Sequence, residues 1–244
     1  MSETIRKIQT GNAPDPAGHY SQAVVHGDMV FVSGQLPIVP ETGEWMMPKK
    51  GTGSWENPWP RIGFDESHPL RPPLYIKQAF EIANKHAPDQ QLIINQHGQL
   101  EAEGWETMKA LVAYLRDHGL RVDGVGWQAH VYLGWEKEPG NVRRLGEIIR
   151  WCHDNNLEFH ITEFNVFLRG EDKGKFEQQA DTFEAITRTV LDNRTSGVVG
   201  INFWHMADSE PQKKLQGCLF DPKHNPKPAY FRIKQLLESY AGDP

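Results

Sequence analysis

Residues 160–168 read HITEFNVFL. Ile161, Phe164, Val166 and Phe167 are β-branched or aromatic, Thr162 adds another β-branched side chain, and the one carboxylate, Glu163, has apolar neighbours. The composition predicts a buried strand, where an ionised carboxylate is costly without partners. Glu163 is therefore either a structural mate for an Arg or Lys or a working group that needs a second side chain. Polar and aromatic residues also close the other apolar runs. Asn95 and Gln96 end QLIINQ, Gln128 and His130 lie in VDGVGWQAHVYL, Asn165 follows Glu163, and Trp204, His205 and Asp208 end GVVGINFWHMAD. Strict alternation puts Gln128 and His130 on one strand face and His160 and Glu163 on opposite faces. Four histidines (His97, His130, His160, His205) raise a metal-dependent hydrolase as an alternative, but no HxH or HExxH pair occurs, and no metal is expected.

These strand ends are positioned by a repeating pattern. LYIKQAFEIANKHAP carries Ile76, Phe80 and Ala83 at helical spacing, and Pro88 marks its end. After the run at 91–96 comes a helix at 103–120 closed by Gly119, a strand at 122–133, and a helix in GNVRRLGEIIRWCHDNN. The strand bearing Glu163 follows, then a helix in KFEQQADTFEAITRTVLDN, a strand at 197–208 and a last helix in AYFRIKQLLESYAG. Four successive strand–helix units mean a parallel sheet with helical crossovers. In such a sheet, barrel or open, ligands bind at the carboxyl ends of the strands, where these polar residues cluster. The first 44 residues differ: AVVHGDMVFVSGQ holds two β-rich runs around His26-Gly27-Asp28, a hairpin pattern with no helix beside it. Residues 45–73, rich in Gly, Pro and Trp, read as a long ordered loop.

The whole chain sets bounds. Its 26 basic and 32 acidic residues give −6, which argues against nucleic-acid or membrane-surface partners. Met1 is followed by polar residues, with no signal peptide, and no apolar run is long enough to span a bilayer, so a cytoplasmic protein is expected. Cys152 and Cys218 suggest reduced, buried thiols rather than a disulfide framework. Eight tryptophans are many for 244 residues, and indole faces serve as platforms for sugar rings as well as for core packing.

Residues 44–244 resemble the C-terminal half of a family-10 glycoside hydrolase, the retaining β-1,4-xylanases. The matching pieces stand in family order: YIKQAF with LIINQ, VDGVGWQAH, ITEFNV, GINFWHMAD and PKPAY. Residues 1–43, with APDPAGHYSQAVVHGDMVFVSGQLPIVPETGE running to Glu44, are similar to the start of the RidA/YjgF imine deaminases. The remaining two-thirds of that fold has no counterpart, and His19 stands where that family has proline, so no deaminase activity is carried over. The fold implied is α/β, a partial (β/α)8 TIM-type barrel of the last four βα units preceded by a β-hairpin segment.

The resemblance implies retaining hydrolysis of xylan or xylo-oligosaccharides without a cofactor, which requires two carboxyl groups about 5–5.5 Å apart. Glu163 matches the nucleophile, and His130 the histidine that orients it. Trp204 matches a wall of the −1 sugar site, and Asn95 and Gln128 offer hydrogen bonds to sugar hydroxyls. Asn165 departs from the family's Asp, which lowers electrostatic support for a protonated His130; Asp208 reads as structural. The acid/base partner should end the fourth strand, where Glu44 precedes Trp45 and a Trp-rich loop, with Gly43 in place of the family's Asn; Glu56 is a second choice. The family's first four strands, with a lysine, a histidine and a tryptophan of the glycone side, have no counterpart. A non-catalytic carbohydrate-binding or relic protein is the alternative. Two open sheet edges lead to the expectation of a homo-oligomer.

Overall fold

The computed structural model describes residues 5–11, 15, 21–26, 29–32, 63–98, 100–209 and 213–241. It separates into two units, Met1–Ser67 with Pro73–Tyr75, and His68–Pro72 with Ile76–Pro244. The boundary expected at 43/44 lies outside the described residues.

The first unit holds an antiparallel sheet in the order β1 (Arg6–Ile8), β2 (Ala23–His26), β3 (Met29–Val32). His26 pairs with Met29, the hairpin expected around Gly27-Asp28. The third strand, β1, was not foreseen: its three residues are too few to show a period. A buried amide ties it to β2, since Thr10 N donates to Gln22 Oε1 (2.6 Å) and Gln22 Nε2 to Thr10 O (3.0 Å).

In the second unit α1 (Leu74–His86), which belongs to it from Ile76 on, leads to β4 (Ile93–Gln96), α2 (Ala102–Asp117), β5 (Gly124–Trp127), β6 (His130–Tyr132) and α3 (Asn141–Asp154). There follow β7 (Glu158–Phe167), α4 (Phe176–Asp192), β8 (Val199–Phe203) and α5 (Pro228–Ala241). All sheet pairings here are parallel. β5 pairs with the first part of β7 and β6 with its last part, so the two short strands share one lane between β4 and β7. The stretch 122–133 is thus two strands rather than one. Gln128 and Ala129 leave the ladder between them, and buried Ala129 adopts φ +56, a left-handed conformation that costs an L-residue roughly 1–2 kcal/mol. The break voids the alternation argument for Gln128 and His130.

One sheet face is apolar. Phe159, Ile161, Phe164 and Val166 of β7 join Leu145, Ile149 and Cys152 of α3 and Phe183, Ile186 and Val190 of α4 in a single buried cluster. Burial pushes the Cys152 thiol up to about 12, making it an inert packing group. The core-facing residues of β7 change phase at Thr162–Glu163. Ile161 pairs with Ile201 and Phe164 with Phe203, so three steps along β7 match two along β8. This is a β-bulge. It corrects the expectation that His160 and Glu163 face opposite ways: with one extra residue between them, both leave the core side. Among the described residues no helix is long and apolar enough to cross a membrane.

Candidate active site

An unbulged β7 would carry the odd-numbered phase of Phe159 and Ile161 through to position 163 and bury the carboxylate among the helices. The bulge turns Glu163 out instead, its side chain 20% exposed. Its Oε2 stands 3.2 Å from Nε2 of His130, the first residue of β6. His130 lies opposite Asn165 in the β6–β7 register. Its ring stacks on Phe167 (centroids 5.7 Å, 18°) and meets Trp204 edge-on (6.2 Å, 77°). The imidazole is thus held from two sides with one nitrogen aimed at the carboxylate.

Trp204 follows β8 and is 39% exposed. Its backbone is fastened to β7 at both ends: Trp204 N donates to Phe164 O (3.2 Å), and Trp204 O accepts from Asn165 Nδ2 (2.7 Å). Asn95, at the end of β4, accepts from Thr162 Oγ1 (2.8 Å) through its Oδ1. That pair crosses above Gly126 of β5, where a Cβ would lie 2.7 Å from Thr162 Cγ2 and 2.8 Å from Asn95 Oδ1. Gln128 sits half-buried in the β5–β6 break, its backbone N donating to Gln96 O (3.1 Å). The carboxyl ends of the parallel strands therefore bring Glu163, His130 and Trp204 together, with Asn95 joined through Thr162; Gln128 is fixed there through its main chain. Glu44 and Glu56 lie outside the described residues.

His160 Nε2 is 2.8 Å from Glu158 Oε2, in-strand and two residues away. Among the described residues, no group of three or more His, Cys, Asp or Glu is placed to hold a metal.

Behind Trp204 lies a buried ion pair. Asp208 Oδ2 is 3.0 Å from Lys227 Nζ, and Asp208 Oδ1 accepts from Cys218 N (2.9 Å). Lys227 Nζ also donates to Gln216 O (2.8 Å). Burial draws the Lys227 ammonium below its usual range, with Asp208 opposing. Asp208 thus pins the loop after β8 to the segment before α5. Sequence reasoning passed over Thr162, Phe167 and Lys227. Phe167 had a usable signal, being in phase with Glu163 and Asn165 once the bulge is known; Lys227, inside PKPAY, had only its place in a motif.

A family model described as glycosyl hydrolase family 10 matches residues 71–236, and one described as endoribonuclease L-PSP matches residues 10–53. The chain is 30% identical over 178 residues to endo-1,4-beta-xylanase B of Thermotoga neapolitana, covering 68% of this chain and 49% of that one. It is 28% identical over 180 residues to an endo-1,4-beta-xylanase of Geobacillus stearothermophilus (66% and 53%). The fold is similar to xylanase 10B from Thermotoga petrophila RKU-1, solved in complex with xylobiose, with TM-score 0.63, 27% identity, and 79% of this chain and 57% of that one covered. The chain spans about half the length of the curated relatives it matches.

Proposed function

The chain belongs to glycosyl hydrolase family 10, and from that premise we propose that it cleaves β-1,4-xylosidic bonds in xylan or xylo-oligosaccharides with retention of configuration. The observation that carries the reading is Glu163 at a parallel-strand end, 3.2 Å from His130 and beside a half-exposed Trp204.

In this reading a Glu163 carboxylate oxygen attacks the anomeric carbon. The bond to the leaving xylose breaks, and its electron pair passes to the glycosidic oxygen, which takes a proton from the acid, assigned to Glu44. Water, giving its proton to that same group, then attacks the glycosyl-enzyme and frees Glu163 with the configuration retained. His130 donates from Nε2 to Glu163 Oε2, which fixes the direction of the attacking lone pair. Trp204 offers a face to the sugar ring, and Asn95 and Gln128 bond hydroxyls. No cofactor takes part.

The test is release of nitrophenol from an aryl β-xylobioside. Wild type is expected to release it, and Glu163→Gln to lose all turnover with an unchanged circular dichroism spectrum, because no other group supplies the nucleophile. A variant of near-full activity removes Glu163 from the role.

A second reading, a protein that binds xylo-oligosaccharide without turnover, is favoured by Asn165 standing where the family has Asp. Calorimetric xylobiose binding with no nitrophenol release selects it. We also infer a homo-oligomer, since β4 pairs only with β5, and β8 only with β7, among the described strands.

A further inference from the structure

We propose that Asn165 is a positioning residue for Trp204: in this chain an amide stands where the family has Asp, and it holds two carbonyl oxygens by donating to both. The importance of Trp204 rests on the functional reading above; the clamp itself rests on geometry.

Asn165 is 1% exposed. Its Nδ2 lies 2.7 Å from Trp204 O and 3.2 Å from Gly217 O. Two acceptors can be faced only by the NH2 end of the amide, so the partners settle its orientation. The Gly217 side of the clamp is equally constrained. A Cβ on Gly217 would come 2.5 Å from Phe167 Cδ1 and 3.5 Å from Asn165 Cβ, so the segment approaches β7 as only glycine permits. Val166 N donates to Gly217 O (3.3 Å) and Leu168 N to Leu215 O (2.7 Å), laying residues 215–217 along β7. Trp204 is thereby fixed between Phe164 O on its amide and Asn165 on its carbonyl. The next residue, His205, takes φ +62, so the backbone leaves its extended course directly after the Trp204 carbonyl.

Aspartate, the family's own residue at this position, is the isostere that tests the donation. As a carboxylate it has no hydrogen to donate and would set negative oxygens against two carbonyl oxygens in a buried place; protonated, it can donate to one of them. The sign follows. The clamp is lost above the carboxyl's folded pKa and partly regained below it. The titratable groups around it are His130 opposite on β6, Glu163 on the same strand, His205 beside Trp204, and Cys218 with the Asp208–Lys227 pair behind residues 216–218.

The readout uses protein labelled with 5-fluorotryptophan, the Trp204 resonance being the one absent from Trp204→Phe. In Asn165→Asp at pH 8 that resonance is expected to shift from its wild-type position and to return towards it on acidification. Its dissociation constant for xylobiose should rise about tenfold at pH 8, the scale of one lost hydrogen bond, with the difference from wild type narrowing at low pH. Asn165→Ala removes both donors without adding charge; it should shift the resonance by an amount that does not depend on pH relative to wild type, and it carries the test if the aspartate variant does not fold. A Trp204 resonance unmoved in both variants overturns the proposal, as does an aspartate variant that binds and turns over as well as wild type at pH 8. Wild type that neither binds nor cleaves xylobiose sinks the functional reading alone, because the fluorine shifts still decide the clamp.

Discussion

Glu163 owes its place to one inserted step of backbone, and the nucleophile role proposed for it depends on a partner of opposite duty. A general acid matters in proportion to how poorly the leaving group departs without a proton. A xylose hydroxyl leaves poorly and a dinitrophenolate leaves well, so the two substrates separate the steps. If Glu44 is the acid, Glu44→Ala abolishes xylan cleavage while glycosyl-enzyme formation from a dinitrophenyl xyloside survives. The second step still needs a base, so the intermediate accumulates, and added azide restores turnover by giving a β-glycosyl azide. Equal, small losses on both substrates leave Glu44 as a hairpin residue and move the binding-only reading ahead. At the same scale, Asp208 and Lys227 are 2% and 4% exposed and joined at 3.0 Å. Removing one member of such a pair strands the other. Lys227→Ala is therefore expected to cost about 3–5 kcal/mol in urea unfolding, whereas a change below about 1 kcal/mol, the range of exposed pairs, contradicts the anchoring role.

Elements were legible where a period was long and unlegible where one residue changed it. The helices came from apolar residues at helical spacing, and Gly119 closes α2 with φ +72, the left-handed stop its position suggested. The strands came from short apolar runs with polar ends. What the sequence concealed were the Ala129 break and the Thr162–Glu163 bulge, because no residue type there announces an unusual φ or an unpaired step: alanine is a poor left-handed residue, and threonine and glutamate are ordinary strand and helix residues. For the candidate site, type and motif pointed to Glu163, His130 and Trp204, which the strand ends bring together, but not to the faces they take. Glycines in β5 and β8 matter for the same reason. Gly126 and Gly200 leave room for Thr162 with Asn95 and for the His160 ring, which a Cβ on Gly200 would overlap. Overpacking of this kind costs about 1–3 kcal/mol. Gly126→Ala is expected to lower stability by that amount and, by pushing Asn95 off Thr162, to weaken xylobiose binding measured by calorimetry. Unchanged stability and affinity would mean that the Asn95–Thr162 pair gives way freely.

At the scale of the molecule the open question is the sheet's two sides. β4 and β8 each have one strand neighbour among the described residues, and each presents a line of backbone donors and acceptors on its other side. The edges are not defended by charge. Ile93 on β4 is 36% exposed, Phe203 on β8 is 36% exposed, and Val198 just before β8 is 55% exposed. β4 contains no Lys or Pro, the residues that usually blunt an edge, and neither does β8. Such edges gain by pairing with another chain, so light scattering at micromolar concentration should give a mass at a multiple of 27.9 kDa. The edges also say how to undo it. Val198→Lys places a charge beside β8 without entering the buried cluster, and it should shift the mass towards 27.9 kDa while the circular dichroism spectrum is kept. A strict monomer of the wild type would show that the edges are satisfied within one chain. An oligomer indifferent to Val198→Lys would move the contact to the β4 side, where Ile93→Lys is the corresponding test.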